Sequence, residues 1–332
     1  WAAAANIQNA WISGSVTGDL AGGLVGYQGA GEIKNSYNAA NVTGTERAGG
    51  LVSLMDSSVS KVTNAYNIGT IVGGTYTTGG ITGSIDDNSI LTNVYNAGSV
   101  TSIGGAATGA IVGARYNSQG AIINAFFDNQ TSSAANGVGY GTAAGTGYST
   151  ANMMAAVNFT GWNIANNNQN GNTNGIFTNA TAPATTWLMI EGSTRPMLGM
   201  EWSTNVATPH QLQLMSAALG ASYTLTNNID LSSALNNKSD VWGTQSSLSS
   251  GKGFIPVGNA TSQFTGTFNG NHFTIDQLYI NNVAANTSTG LFGQVNGASL
   301  SNVNITNANV TGGDAYTGIL VGLANWTAVN TI

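Results

Sequence analysis

One short phrase, with an apolar residue, an Asn and an aromatic residue at alternate positions, recurs five times within residues 7–126. The Asn residues of successive copies are separated by 26, 29, 29 and 31 positions. The copies are Ile7-x-Asn9-x-Trp11, Ile33-x-Asn35-x-Tyr37, Val62-x-Asn64-x-Tyr66, Leu91-x-Asn93-x-Tyr95 and Ile122-x-Asn124-x-Phe126. A motif that returns at roughly this period is typical of a solenoid, in which each copy forms one coil stacked on the previous one.

Each copy of the phrase reads as a short strand whose alternate side chains share one face. The apolar residue, the Asn and the aromatic residue are therefore predicted to point inward together. Coils stacked in register about 4.8 Å apart would align the amides into a hydrogen-bonded ladder and the rings into a column. Such contacts satisfy buried amides and add attraction between rings. The predicted structural ladder comprises Asn9, Asn35, Asn64, Asn93, Asn124, Trp11, Tyr37, Tyr66, Tyr95 and Phe126.

Two further phrases follow in most copies and complete a coil. A β-branched residue stands seven positions after the Asn in four copies, and a Gly-rich apolar phrase comes next. The first set is Val16, Val42, Ile71 and Val100, and the second is residues 22–26, 49–52, 79–83 and 109–113. With 46 Gly residues and no persistent 3.6-residue period, helices are disfavoured. The pattern predicts an all-β parallel β-helix (β-solenoid) with about three short strands per coil and protruding loops.

The repeat divides the chain into three predicted regions. Residues 1–130 form coils, residues 131–186 form irregular coils with a loop insertion, and residues 187–332 resume the coils. Gly290 and Gly318 begin similar phrases 28 positions apart, which matches the earlier period. Residues 326–332 resemble residues 1–7, which leaves open that the chain is one period of about 325 residues in a tandem array.

Charged residues are sparse, with 7 Lys and Arg against 13 Asp and Glu and a net charge of −6. The basic residues are scattered, so no nucleic acid is expected as a partner. No run approaches the roughly 20 apolar residues of a membrane helix, so no membrane insertion is expected. Cys is absent, which excludes disulfides, thiol catalysis and Cys-ligated metals. No signal peptide opens the chain, although Trp1 resembles the middle of a pattern.

Groups that could carry chemistry are few and isolated in the sequence. His210 and His272 are 62 positions apart and lie in no zinc-protease motif, and His272 is interpreted as a solvated turn residue. Asp86 and Asp87 are predicted to fill a solvated turn, with a Ca²⁺ site as the lesser alternative. No Gly-x-Ser-x-Gly nucleophile motif is present. We therefore expect no catalytic, cofactor or metal site.

Binding, if any, is expected at the irregular segments. Loops within residues 131–186 and 236–253 are predicted to carry recognition. The ring column is predicted to be core, whereas Trp162, Trp187 and Trp242 near the loops are expected to be exposed and are better candidates for a ligand contact.

Residues 21–26, 33–38 and 41–44 resemble GLUG-motif repeats, which occur in large bacterial surface proteins. Residues 211–231, 264–275 and 290–293 are similar to blocks that precede such repeats in filamentous-haemagglutinin-like adhesins. The resemblance covers most of the chain and is weakest around residues 131–186. It implies a right-handed parallel β-helix in a secreted or surface-attached protein with adhesive or fibre-forming roles. The motif is more specific for the fold than for the function.

Two functional hypotheses follow. The first is a non-enzymatic structural and adhesive segment of a secreted bacterial surface fibre or giant adhesin. Its rigid coils would stack end to end with adjacent repeats or other copies, and its loops would contact a surface glycan or a cell receptor. The alternative is a glycan-processing β-helix enzyme or a phage-tail-like depolymerase. That activity would need several carboxylates on one exposed face, and the sequence offers no such cluster.

A third possibility, an ice- or surface-binding module, would need regular rows of Thr. Thr17, Thr43 and Thr101 recur at one position of the repeat, but Val72 breaks the row.

Overall fold

The computed structural model describes residues 5–116, 120–167, 184–243 and 251–325. The chain divides into two compact units, Trp1–Trp162 (unit 1) and Asn163–Ile332 (unit 2). Nearly all paired strands are parallel, so the prediction of an all-β chain folded as a β-solenoid is confirmed. The predicted similarity between the two ends of the chain involves residues 326–332, which lie outside the described residues.

Unit 1 is built from strands of two to nine residues. In chain order they are β1 (Ile7–Gln8), β2 (Trp11–Ile12), β3 (Ser15–Gly22), β4 (Val25–Gln28), β5 (Gly31–Asn38), β6 (Asn41–Gly49), β7 (Val52–Asp56), β8 (Ser60–Asn67), β9 (Ile71–Gly73), β10 (Thr77–Gly79), β11 (Thr82–Asp86), β12 (Ile90–Asn96), β13 (Val100–Ser102), β14 (Ala107–Gly109), β15 (Val112–Arg115), β16 (Ala121–Asp128), β17 (Val138–Tyr140) and β18 (Thr146–Tyr148). Short 3₁₀ turns follow at Asn152–Met154 and Ala156–Asn158.

These strands form three parallel sheets, and each of the four coils from β1 to β15 contributes to all three. The first sheet has the order β1-β5-β8-β12-β16-β18, and β2 also pairs with β5. The second has the order β13-β9-β6-β10-β14, with β3 also on β6. The third has the order β17-β15-β11-β7-β4. The long strand β6 pairs with both β9 and β10. Each early coil therefore contributes one long strand to the second sheet, whereas each later coil contributes two short strands.

Strands of one sheet pair in the register of the sequence repeat. In the first sheet, the residues in register are Ile7, Ile33, Val62, Leu91 and Ile122, and four positions later Trp11, Tyr37, Tyr66, Tyr95 and Phe126. In the second sheet they are Val16, Val42, Ile71 and Val100. In the third they are Val25, Val52, Thr82 and Val112. The three phrases of the repeat therefore fall in the three sheets in turn.

The side chains of the first sheet do not alternate as predicted. The Asn of every copy has a positive φ, between 48° and 54°. A residue in this left-handed conformation acts as a bulge and interrupts the strand alternation. Val62 and Ala65 consequently lie in the apolar core, whereas Tyr66 is fully buried but is not part of that cluster. The prediction that the apolar residue, the Asn and the ring share one face is therefore wrong.

The described residues of unit 2 combine further short strands with two short helices. Its strands are β19 (Ile164–Asn167), β20 (Trp187–Ile190), β21 (Met197–Leu198), β22 (Asn205–Val206), β23 (Ser222–Leu225), β24 (Ile229–Asp230), β25 (Thr267–Asn269), β26 (Thr274–Asp276), β27 (Tyr279–Asn282), β28 (Phe292–Asn296), β29 (Ser299–Ser301), β30 (Asn304–Thr306), β31 (Asn309–Gly312) and β32 (Val321–Asn325). The helices are α1 (Pro209–Leu214) and α2 (Ser232–Leu235), with 3₁₀ turns at Gly199–Glu201 and Met215–Ala217.

Within the described part of unit 2, the strands form five small sheets. Their orders are β19-β20-β21, β22-β23-β25-β29, β24-β26-β30, β27-β31 and β28-β32, and β20 with β21 is an antiparallel pair. Helix α1 begins where the Thr208 hydroxyl accepts a hydrogen bond from the Gln211 N–H at 3.2 Å and Pro209 occupies the first turn. Thr208 favours a helix start because its hydroxyl pairs with an N–H group that the helix leaves free, and Pro209 does so because it has no N–H group.

Part of the predicted recognition loop 236–253 belongs to the core of unit 2. Asp240, Val241 and Trp242 are all buried, and Val241 and Trp242 pack in the apolar cluster with Phe254. The prediction of a surface loop is wrong for residues 239–243, because this segment supplies core side chains. Residues 244–250 of the predicted loop and residues 168–183 of the earlier one lie outside the described residues.

Within the described residues, none of the helices combines the length and the apolar character needed to cross a membrane.

Candidate functional site

The Asn residues of the sequence repeat form a ladder along the first sheet of unit 1. The Asn64 Nδ2 donates to the Asn35 Oδ1 at 3.2 Å, the Asn93 Nδ2 to the Asn64 Oδ1 at 3.1 Å, and the Asn124 Nδ2 to the Asn93 Oδ1 at 3.0 Å. Asn9 shares their left-handed backbone. Asn tolerates this conformation better than other residues with a side chain, so one residue type serves both the bulge and the ladder. We call this the outer ladder.

The aromatic residues of the repeat form a stacked column. The rings of Tyr37 and Tyr66 lie 4.6 Å apart at 2°, and those of Tyr66 and Tyr95 lie 4.8 Å apart at 2°. Trp11 continues the stack at 5.9 Å from Tyr37. Phe126, in register with Tyr95, stacks on Tyr148 at 5.6 Å and packs edge-on against Phe159 at 5.1 Å. The spacing is close to that between strands, so backbone pairing sets the stacking distance.

Trp162 covers the end of this column and is not the exposed residue that we predicted. Its ring lies 5.7 Å from Phe126 and 6.3 Å from Tyr95, and its Nε1 donates to the Asn124 carbonyl at 3.2 Å. Trp187 and Trp242 are also buried, at 0% and 1% exposure. All three predictions of exposed Trp side chains are wrong, because Trp162 packs against aromatic rings, Trp242 packs in the apolar cluster of unit 2 and Trp187 is fully buried.

A second Asn ladder, absent from our sequence predictions, runs through the interior of unit 1. The Asn38 Nδ2 donates to the Asn67 Oδ1 at 2.7 Å, and the Asn67 Nδ2 donates to the Asn96 Oδ1 at 2.7 Å. All three side chains are fully buried. The sequence signal is the repeated Tyr-Asn pair, which places an Asn directly after each stacked Tyr. We call this the inner ladder.

Each amide of the inner ladder also closes its own turn. The Asn67 Oδ1 accepts from the Gly69 N–H at 3.2 Å, and the Asn67 Nδ2 donates to the Gly69 carbonyl at 3.0 Å. Asn38 makes the same pair of bonds with Ala40, and Asn96 with Gly98. These bonds fix the orientation of every amide and satisfy polar groups that would be costly to bury unpaired.

The inner ladder explains the Gly-Gly phrase of the repeat. A Cβ added to Gly50 would lie 2.8 Å from the Asn67 Cγ and closer still to the Gly80 carbonyl oxygen. Gly23 faces Asn38 in the same way, with a Cβ 2.7 Å from the Asn38 Oδ1. The second Gly of each pair is therefore required because the chain passes directly over the amide of the ladder.

The inner ladder has three members because apolar residues occupy the next positions in register. Ile12 pairs with Asn38 at one end, and Phe127 pairs with Asn96 at the other. Phe127 belongs to the apolar core, so the column changes from polar to apolar at this coil.

Unit 2 contains a buried charged cluster that sequence analysis also missed. The His210 Nδ1 lies 2.6 Å from the Glu201 Oε2, and the His210 Nε2 lies 2.7 Å from the Asp240 Oδ1. Burial alone would lower the pKa of His210, but the two carboxylates raise the pKa to about 10. The imidazole is therefore protonated and paired on both nitrogens at neutral pH.

Arg195 adds a second buried cation beside this cluster. Its guanidinium donates to the carbonyl of Asp240 and, at 3.1 Å, to that of Lys238. Arg195 thus holds the backbone of the segment that carries Asp240, while His210 pairs with both carboxylates. The partners of His210 lie 9 and 30 positions away in the chain, so no local motif marked the cluster.

The other candidate residues from the sequence, His272, Asp86 and Asp87, are not part of this charged cluster. His272 is exposed and has a positive φ of 63°, and Asp87 is exposed with a φ of 53°. Asp86 is in register with Asp56, and its pKa is raised by burial and then by that carboxylate. Across the part of the chain that the structure describes, no group of three or more His, Asp or Glu side chains could hold a metal ion.

Comparison with known proteins supports the motif assignment. Residues 17–43, which span β3 to the start of β6, match the family model of the GLUG motif. The chain is also 40% identical to Halomucin of Haloquadratum walsbyi (strain DSM 16790 / HBSQ001) over 119 residues, which are 35% of this chain and 1% of that protein. The chain thus spans only a small part of the relative that it matches. No solved structure matches significantly.

Proposed function

We propose that this chain is a non-enzymatic structural segment of an extracellular surface protein, in which unit 1 is a stiff spacer and exposed faces make adhesive contacts. The observation that carries the proposal is the register of unit 1, in which equivalent residues of successive coils pair through two Asn ladders and one ring column. Such coils resist deformation, because bending would break hydrogen bonds in the sheets and ladders together.

The distribution of chemical groups supports a structural role. The ladder amides are bonded to one another and to the backbone, and the charged cluster of unit 2 is buried and internally paired. These groups stabilise the fold and are not arranged around a space that a substrate could enter. Their positions favour a spacer over the glycan-processing alternative.

The similarities support a location outside the cell. The GLUG motif model matches the first coils, and Halomucin is a very much longer protein in which a segment related to this chain is a minor part. A stack of coils can extend by adding neighbours, so end-to-end contact with adjacent repeats is part of the proposal.

The extracellular location is tested by labelling cells of the source organism with an antibody raised against unit 1. We expect intact cells to be labelled as strongly as permeabilised cells. Labelling that appears only after permeabilisation would contradict the location.

The absence of catalysis is tested by incubating the purified chain with a panel of neutral and acidic polysaccharides. We expect no increase in reducing ends or unsaturated products over a heat-denatured control. Release of products that rises with protein concentration would overturn the non-enzymatic assignment and favour the depolymerase.

A further inference from the structure

Unit 1 exposes three tyrosines, two on its third sheet and one just before β10 of its second sheet, although its other described Tyr side chains are at least partly buried. Tyr27 in β4 is 53% exposed, Tyr76 just before β10 is 56% exposed, and Tyr140 in β17 is 61% exposed. Exposed aromatic rings of this kind commonly mark contact surfaces, since burying them on a partner is favourable.

Each of these rings is held by a neighbour. The Tyr27 hydroxyl donates to the Asp56 Oδ2 at 3.1 Å. The guanidinium carbon of Arg47 lies 5.9 Å from the centre of the Tyr76 ring. Tyr140 packs against Tyr116 with ring centres 6.0 Å apart. A ring that is exposed yet fixed loses little entropy when it binds, which is typical of preorganised recognition surfaces.

Tyr27 and Tyr140 occupy one column of the third sheet. In register between them lie Leu54, Ser84 and Ala114. Four strand steps of about 4.8 Å separate the two tyrosines by roughly 19 Å. Ser84 and Ala114 are fully buried and Leu54 is partly buried, so the two rings are the most exposed side chains of this column.

Hydrogen-bonding groups lie along the same column. The Arg47 Nη1 donates to the Ser84 Oγ at 3.2 Å, which places the guanidinium between the two tyrosines. Asp56 and Asp86 are in register two positions beyond Leu54 and Ser84, and both carboxylates are partly exposed. Together, Arg47, Asp56 and Asp86 place one cation and two acceptors among the rings, while Arg115 of β15 donates to the Gly120 carbonyl.

We propose that Tyr27, Arg47, Tyr76 and Tyr140, with Asp56 and Asp86, form a binding face for an extended, uncharged carbohydrate chain. This proposal rests on the extracellular role proposed above and names the partner of the adhesive contact. Sugar rings have apolar faces that pack on Tyr, and their hydroxyls donate to carboxylates and accept from Arg. A span of about 19 Å suits a short oligosaccharide lying along successive coils.

The charge of the face favours this occupant over other polymers. Two carboxylates against one guanidinium would repel the phosphates of a nucleic acid or the carboxylates of an acidic polysaccharide. A protein partner is the other class that exposed tyrosines can serve, and the experiment below separates it.

The test is titration calorimetry of the full chain with neutral gluco-, galacto- and manno-oligosaccharides of two to six sugars, with a uronic-acid oligomer in parallel. We expect affinity for a neutral series to rise with chain length to about four sugars. Tyr27→Ala and Tyr140→Ala should each weaken binding roughly three- to tenfold. Tyr316→Ala is the matched control, since this Tyr of unit 2 is 62% exposed, and it should leave binding unchanged.

Three outcomes would overturn the proposal: no binding to any neutral series, equal losses in the Tyr316 control, or tighter binding of the uronic-acid oligomer. Concentration-dependent self-association lost in Tyr140→Ala, without sugar binding, would assign the face to a second copy instead. Each of these results leaves the spacer role intact, because cell labelling and polysaccharide digestion test that role separately.

Discussion

The Asn38 Nδ2 donates to the Asn67 Oδ1 at 2.7 Å across consecutive coils, and both side chains are fully buried. This bond joins two residues 29 positions apart, so it exists only when the coils are in register. It also depends on the turn, since each amide is held by the backbone two residues further on.

Asn67→Ala is expected to destabilise unit 1 by about 2–4 kcal/mol, because the Asn38 Nδ2 and the Asn96 Oδ1 each lose one of two buried hydrogen bonds and the Gly69 N–H and carbonyl lose their bonds to the Asn67 side chain. Urea denaturation measures the change in the free energy of unfolding. Thr101→Ala, on an exposed strand position, is the control and should change the free energy by less than about 0.5 kcal/mol. Equal effects of the two substitutions would contradict the role of the inner ladder.

Gly50→Ala is expected to cost about 2–3 kcal/mol or prevent folding, because the added Cβ overlaps the Asn67 amide and the Gly80 carbonyl. Gly18→Ala is the matched control, since no atom lies within 4 Å of its added Cβ and its φ is not positive. Thermal melts of both variants provide the measurement. A Gly50 variant as stable as the Gly18 variant would mean that the chain does not pass over the ladder.

Tyr66→Ala is expected to lower the free energy of unfolding by about 3–5 kcal/mol, because Tyr66 is fully buried between two parallel rings. The near-ultraviolet circular dichroism of the stacked tyrosines should also decrease. Tyr316→Ala, at an exposed site, should change neither quantity appreciably. An unchanged melt for Tyr66→Ala would argue against the ring column as a source of stability.

Protonated His210 is expected to make the stability of unit 2 depend on pH. Its pKa is about 10 in the folded chain, against an ordinary value of 6.5. The stabilisation is therefore fully present below pH 6.5 and is lost as the pH rises toward 10. The slope is about 1.4 kcal/mol per pH unit in this window.

Urea denaturation of the wild type and of His210→Gln at pH 6.5, 8 and 9 measures this effect. The variant should be less stable at pH 6.5, because it leaves two buried carboxylates without their cation, and it should lack the slope. A wild-type free energy that stays constant from pH 6.5 to 9 would show that His210 is not held protonated by Glu201 and Asp240.

The sequence repeat was sufficient to predict the strands and their register, because the register follows directly from the spacing of the Asn and Tyr positions. It did not predict which way Tyr66 faces, since alternation assumes an extended backbone and Asn64 is left-handed. The repeated Tyr-Asn pairs were a sequence signal for the inner ladder. Asn is also a common turn residue, so Asn67 by itself did not distinguish a buried ladder from an ordinary turn. The His210 cluster depends on chain segments brought together only in the fold.

The composition of the loops was misleading for a related reason. Trp242 stands in polar surroundings in the sequence, yet its side chain is buried in the apolar cluster of unit 2. The polar neighbours of Trp242 include Asp240, which is buried because it pairs with His210. A polar segment can therefore be core when its charges are paired within the fold.

Cysteine cross-linking tests the stacking of coils in register most directly, since the natural chain has no Cys. Thr63 and Thr92 are partners on β8 and β12, whereas Thr101 lies on β13 in another sheet. Adjacent strands bring Cα atoms within the range of a disulfide. We expect Thr63→Cys with Thr92→Cys to form an intramolecular disulfide on mild oxidation, and Thr63→Cys with Thr101→Cys to remain reduced. Equal oxidation of both pairs, or none of the first, would contradict the stacked register.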